Sequence, residues 1–390
     1  MTIEFINLIK QIENNEIVDL EIIFYNDRND MIVEITFSYY YTSTYQTIKR
    51  KYKINNELLN LLISALNNNH SITKLNIDTY YNYTVLTQIP LNTETFILNG
   101  YHTNYKFNDI NLLLNNLQNN ETLTDLKLCR IKIDDIKFIN LLNDFIKNNN
   151  SIIKLELNCI DLEYKIENIQ NNFSLSEGLI YNKNIISLNL INCRLKNSCN
   201  ELFKILQNNN SITSLNLSRN SIESITDLAN CLKVNTTLTD INLSDNGILD
   251  ISGLSNSLQV NTTLTNLNLS YNEIIDISDL SNSLQVNTTL TDLNLSHNNI
   301  ENIINLTDNL KENNNITKIN LSYNLINDIK QIDYLLKYNS SLYSLNISYN
   351  LLLNNSSDKD LQLFFNNLKY NNTLTKLNKK LIILLIDYVN

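Results

Sequence analysis

The sequence is poor in the residues from which most active sites are built. Among 390 residues it has 3 histidines, 4 glycines, 1 proline, 2 methionines and no tryptophan. So few glycines leave no Gly-rich loop to cradle a phosphate, and no H-E-x-x-H or C-x-x-C pattern occurs. His70, His102 and His297 are far apart. The 5 cysteines, Cys129, Cys159, Cys193, Cys199 and Cys231, are odd in number and sit at no disulfide or zinc spacing. They read as buried, inert thiols. No catalytic residue, metal or cofactor is indicated, so an enzyme is not expected.

Long apolar runs are missing too. The longest, Leu381 to Ile386, falls far short of a bilayer span. The start, MTIEFINLIKQIENNE, has neither the basic lead nor the apolar core of a secretory signal. Positive charge is in deficit: a net charge of −10 and a pI near 4.9 argue against binding nucleic acid or an anionic membrane. The expectation is a monomeric, intracellular, cytoplasmic protein that is not secreted. Triplets such as Asn287-Thr288-Thr289 then need carry no glycan. The run Lys49-Arg50-Lys51-Tyr52-Lys53 resembles a nuclear-localisation patch, but on a strand its lysines share one face, as at a solvated sheet edge.

What abounds is asparagine, about a fifth of the residues, together with 21 tyrosines, a bias that AT-rich codons explain. Hydrophobic residues make up 43% and recur periodically, which separates the chain from disordered Asn-rich tracts. Aligned on an L-x-L pair, the first apolar positions are Leu188, Leu215, Ile241, Leu267, Leu293, Ile319 and Leu345. The step from Leu188 to Leu215 is one position longer than the rest, and from Leu215 onward the spacing is constant through five further steps. Leu75, Leu126 and Leu155 fit the frame irregularly, Phe96-Ile97-Leu98 is a degraded copy, and Leu374-Thr375-Lys376-Leu377 a partial last one. About twelve units result, and such a period predicts a solenoid.

Each unit alternates like a half-buried strand over L-x-L. Spacings such as Ile300, Ile303, Leu306 and Leu310 then place apolar groups on one side of a short helix. The pattern L-T-x-L-N-L-S-x-N-x-I, followed by a helix ending L-x-x-N-x-T, resembles the leucine-rich repeat of the ribonuclease-inhibitor-like class over residues 71–378. That resemblance implies an α/β horseshoe solenoid, with parallel strands on the concave face and helices on the convex face. The unit is slightly shorter than that class usually shows, so the helices should be short. The early copies lose register: Cys159 falls one position early, and an insertion lies between Leu162 and Asn184.

The column Cys193, Asn220, Asn246, Asn272, Asn298, Asn324 and Asn350 follows the strands. The chain turns inward there with backbone groups lacking a ladder partner. Asn, a donor and an acceptor in one side chain, can satisfy them across units, and Cys fits the same slot with a weak donor. This column reads as structural. The ends need caps. Alternating stretches at residues 18–24, 33–39 and 45–54 predict a small antiparallel β cap over 1–54, with residues 1–54 read as strands. A helix over 57–66, capped by Asn55 or Asn56, opens the repeat array of 55–378. Residues 379–390 are expected to form a closing helix.

Four columns are expected to face outward from the strands. The Asn column (Asn216 to Asn346) and the Ser column (Ser218 to Ser348) are uniform. Two vary: Ser214, Asp240, Asn266, Asp292, Lys318 and Ser344; and Arg219, Asp245, Tyr271, His297, Tyr323 and Tyr349. Tyr and Arg are favoured at interface hot spots, so the second varying column is the better candidate for partner contacts. The resulting expectation is a non-enzymatic scaffold that binds an unknown partner protein through its concave face. The alternative implied by the resemblance is a regulator of another enzyme, either a ubiquitin-ligase substrate adaptor or a GTPase activator.

Overall fold

A computed structural model describes residues 2–14, 16–27, 30–41, 44–79, 89–90, 92–100, 110–118, 120–131, 136–162, 175–352 and 354–377. It divides into two compact units, Met1–Arg194 and Leu195–Asn390. The first begins with helix α1 (Thr2–Glu13) and strands β1 (Asp19–Asp27), β2 (Asp30–Tyr41) and β3 (Thr44–Ile54). Helix α2 (Asn56–Asn67) leads into β4 (Lys74–Thr79) and β5 (Thr95–Gly100). Helices and strands then alternate: α3 (Ile110–Leu117), β6 (Asp125–Cys129), α4 (Ile136–Asn148), β7 (Lys154–Asn158), α5 (Ser176–Tyr181) and β8 (Ser187–Ile191).

β1–β2 and β2–β3 pair antiparallel, while β1 lies parallel to β4 with Leu20 opposite Leu75. The three opening strands therefore continue the sheet of the repeats. Onward from β4 every pairing in this unit is parallel, and Leu75, Phe96, Leu126, Leu155 and Leu188 stand in one row. That row and the residues two further on are buried, as a strand with one covered face requires. Asn55 caps α2, accepting from Leu58 N at 2.9 Å.

Reading residues 1–54 as strands alone misses α1. Phe5, Leu8, Ile9 and Ile12 recur at helical spacing and are buried, with the Phe5 ring 4.9 Å from that of Tyr52. On β3 the alternation runs as expected, Lys49, Lys51 and Lys53 facing away from the side on which Tyr52 and Ile54 are buried. Lys49 pairs with Glu34.

The second unit holds the regular copies. Its elements are α6 (Cys199–Leu206), β9 (Ser214–Asn216), α7 (Thr226–Leu232), β10 (Asp240–Asn242), α8 (Ser252–Leu258) and β11 (Asn266–Asn268). There follow α9 (Ser278–Leu284), β12 (Asp292–Asn294), α10 (Ile304–Leu310), β13 (Lys318–Asn320) and α11 (Ile329–Tyr338). β14 (Ser344–Asn346), α12 (Asp358–Tyr370) and β15 (Lys376–Leu377) are the last of its described elements. All strands are parallel, with Leu215, Ile241, Leu267, Leu293, Ile319, Leu345 and Leu377 in register.

Helices α7 to α10 are 7 residues each, barely two turns. They hold because Leu228 and Leu232, Leu254 and Leu258, Leu280 and Leu284, and Leu306 and Leu310 point one way into the core. Small residues on the flank, Ala229, Ser255, Ser281 and Thr307, are buried between neighbouring helices. At α12, the last helix among the described residues, Ser357 and Asp360 form a capping box. The closing helix expected at 379–390 lies outside the described residues, as does His102. Among the described residues no helix is long and apolar enough to cross a membrane.

Candidate functional site

In the second unit each strand of the regular copies lasts three residues, and the chain then leaves the sheet through a fixed turn. The Asn at the strand end accepts a hydrogen bond from the Ser two residues on, as Asn268 does from Ser270 N at 3.0 Å. The next residue is left-handed in every copy: Arg219, Asp245, Tyr271, His297, Tyr323 and Tyr349 have φ between 54° and 62°. Then comes the column Asn220 to Asn350. Asn272 donates to Leu243 O of the preceding copy at 3.1 Å and to Leu269 O at 3.0 Å, and accepts from Ile248 N at 3.2 Å. Asn298 and Asn324 repeat the pattern, as does Asn350. Asn246 accepts from both Asn220 N and Ile222 N. In the first unit Cys193 stands in this place, its thiol 3.2 Å from Leu157 O, whereas Ile131 and Ile160 fill it in the two copies before. The amide column therefore belongs to the regular copies.

A second Asn column escapes the sequence reading. Asn235, Asn261, Asn287, Asn313 and Asn339 lie between helix and strand and are buried. Asn287 accepts from Thr289 N at 3.1 Å and Leu290 N at 2.8 Å and donates to Leu258 O, one copy back, at 2.8 Å. This is the Asn of the N-T-T-L stretch, and its amide nitrogen is engaged inside the fold. Its signal lay in the period itself: an N-x-T that returns in step with the L-x-L pair is a structural position before it is a glycan acceptor.

The outward columns need one correction. Ser218, Ser270, Ser296, Ser322 and Ser348 are buried, not exposed. The strand has already ended there, so alternation no longer sets which way a side chain points. The two varying columns are solvent-facing, and each carries contacts between neighbouring copies. Arg219 Nε donates to Asp245 Oδ2 at 2.8 Å, Lys318 pairs with Asp292 at 3.0 Å, and Asn266 donates to Asp240. Four rings then stack face to face across four copies. Tyr271 and His297 lie 3.8 Å apart, His297 and Tyr323 4.0 Å, and Tyr323 and Tyr349 4.1 Å, with planes within 14° of parallel. Partial burial holds the His297 pKa below the usual imidazole value.

A parallel strand, an inward Asn turn and a short outer helix, repeated at a constant interval, decide the architecture. The chain folds as a leucine-rich repeat solenoid. No family model matches the sequence, and no curated protein matches it. Among solved structures, the solenoid is similar to internalin C2 of Listeria monocytogenes, with 20% identity and a TM-score of 0.41, over 60% of this chain and 83% of that one. It is also similar to actin-binding site 2 of leiomodin-1, with 20% identity and a TM-score of 0.31, over 44% and 88%. Among the solenoid's described residues, no group of three or more His, Cys, Asp or Glu could hold a metal ion. Burial pushes the thiols of Cys193, Cys199 and Cys231 up to about 12 and that of Cys129 to about 11. Such thiols are poor nucleophiles at neutral pH.

Proposed function

We propose that the regular copies form a non-enzymatic scaffold that binds a partner protein through their strand-lined face. Contacts would come from Arg219, Asp245, Tyr271, His297, Tyr323 and Tyr349, with Asp240, Asp292 and Lys318 beside them. The stacked aromatic column supports this reading most directly. The left-handed backbone at those positions suits Asp and His, which are enriched there, but not Tyr or Arg. Holding Tyr in it costs on the order of 1 kcal/mol each, a strain retained where the side chain is wanted for something other than folding. The tyrosines are also 54%, 42% and 49% exposed, so they are no part of the core. Stacking leaves them stiff, and wide rigid aromatic surface binds at a low entropy cost. The same proposal has a monomer working in the cytoplasm, away from nucleic acid and membranes, in keeping with a net charge of −10.

The test replaces Tyr271, Tyr323 and Tyr349 together with Ala in the full chain. Proteins captured from native cells by wild type and variant are compared by mass spectrometry, with circular dichroism as the folding control. A partner that wild type retains and the folded variant loses is the expected result. Identical capture by both would move the site elsewhere.

A further inference from the structure

The aromatic column has one end built differently from its middle. His297 covers one face of the Tyr271 ring at 3.8 Å. One copy back, the matching position is Asp245, whose side chain is too short to cover the other face. The two positions are in register: Asp245 N donates to Ser270 O at 2.9 Å, and both backbones are left-handed, φ 57° and 54°. Their side chains therefore leave the chain in the same sense. Tyr271 is accordingly the most exposed of the three tyrosines, 54% against 42% and 49%. Beyond Asp245 lies Arg219, which bonds only the Oδ2 oxygen. Among the described residues, no protein group donates to Asp245 Oδ1, which faces solvent. The column thus presents an open ring face with a half-used carboxylate at its side.

We infer that this notch receives the guanidinium of an arginine supplied by the partner protein. The inference rests on the strand-face reading above and names what the partner must bring. A guanidinium is flat and cationic, so it can take the next place in a stack whose rings stand 4.0 Å apart while its edge N–H groups reach Asp245 Oδ1. A carboxylate accepts about four hydrogen bonds, so Arg219 need not leave. Lysine could meet the carboxylate but would not cover the ring. Phenylalanine could cover the ring but would strip water from Asp245 and offer no donor in return, and Tyr or Trp would bring one neutral donor where a guanidinium brings several and a charge. A net charge of −10 draws a cationic partner in the same direction.

Random peptides displayed on phage are panned against the full chain, and the enriched ones are measured on wild type, Asp245→Asn, and a Tyr323→Ala/Tyr349→Ala double variant. Asparagine keeps the left-handed turn comfortable and removes the charge. Expected are peptides with one indispensable arginine, whose binding falls roughly tenfold or more on Asp245→Asn and when that arginine becomes lysine. Peptides that require Tyr323 and Tyr349, carry no essential arginine and ignore Asp245→Asn would overturn the notch while leaving the scaffold standing. Peptides indifferent to every variant, or none enriched, would overturn both.

Discussion

At the scale of single residues, asparagine carries three separate duties in each regular copy, and only two involve the neighbouring copy. Asn268 pins its own turn. Asn272 and Asn287 bond carbonyls of the copy before. Removing either amide orphans buried backbone groups, which costs about 2 kcal/mol, so Asn272→Leu and Asn287→Leu should each lower stability by that amount in urea melts. An unchanged midpoint for either would show that water or relaxation replaces the bonds. The first column is legible because Asn after L-x-L has no reason to recur except to close the turn. The second is masked, since N-x-T also spells a glycan acceptor. The thiols make a second residue-scale prediction. Folding raises Cys193, Cys199 and Cys231 from an ordinary 9.0 to about 12. The folded state thus holds protons that the unfolded state releases first. Their contribution is whole below pH 9.0 and is lost as pH rises towards about 12. In native protein at pH 8 these thiols and Cys129 should resist Ellman's reagent, leaving the half-buried Cys159 as the reactive one.

At the scale of elements, the helices are set by what lies between them. Ser281 is fully buried on the flank of α9, and its hydroxyl donates to Ile277 O at 2.6 Å, at the start of its own helix. Neighbouring helices leave it no room to grow. Ser281→Leu should therefore cost about 1–3 kcal/mol through overpacking, whereas Asp279→Ala on the outer side should stay within about 0.5 kcal/mol. Equal effects from the two in thermal melts would refute the packing account. Strand register and the brevity of the helices can be read from spacing, because Leu and Ile must return to the same side in every copy. Where Ser270 points cannot, since that depends on a strand ending after three residues. Nor can the ring stack be foreseen. Its column is visible, but face-to-face contact follows from a shared left-handed turn that no residue type announces. Helix α1 is legible in Phe5, Leu8, Ile9 and Ile12, yet masked by the alternating strands that follow it.

At the scale of the molecule, one set of cross-copy bonds in the regular array reaches back by the same distance each time. Thr239, Thr265, Thr291 and Thr317 each donate from Oγ1 to the carbonyl of the Thr at the same place in the copy before. An array joined this way behaves as a sum of units and interfaces, so a whole period can be removed and the joints re-formed. Deleting residues 262–287 takes out one full period and rejoins Asn261 to Thr288, restoring N-T-T-L at the seam. The shortened chain should fold with unchanged circular dichroism per residue and melt lower by only about 1 °C for each kcal/mol lost. Deleting 262–274 instead removes half a period and sets the L-x-L frame against helix. Every apolar side chain beyond the cut then meets the wrong layer, and that chain should not fold cooperatively. If the full-period deletion unfolds as readily as the half-period one, the strand, turn and helix of one copy are not the unit from which this protein is built.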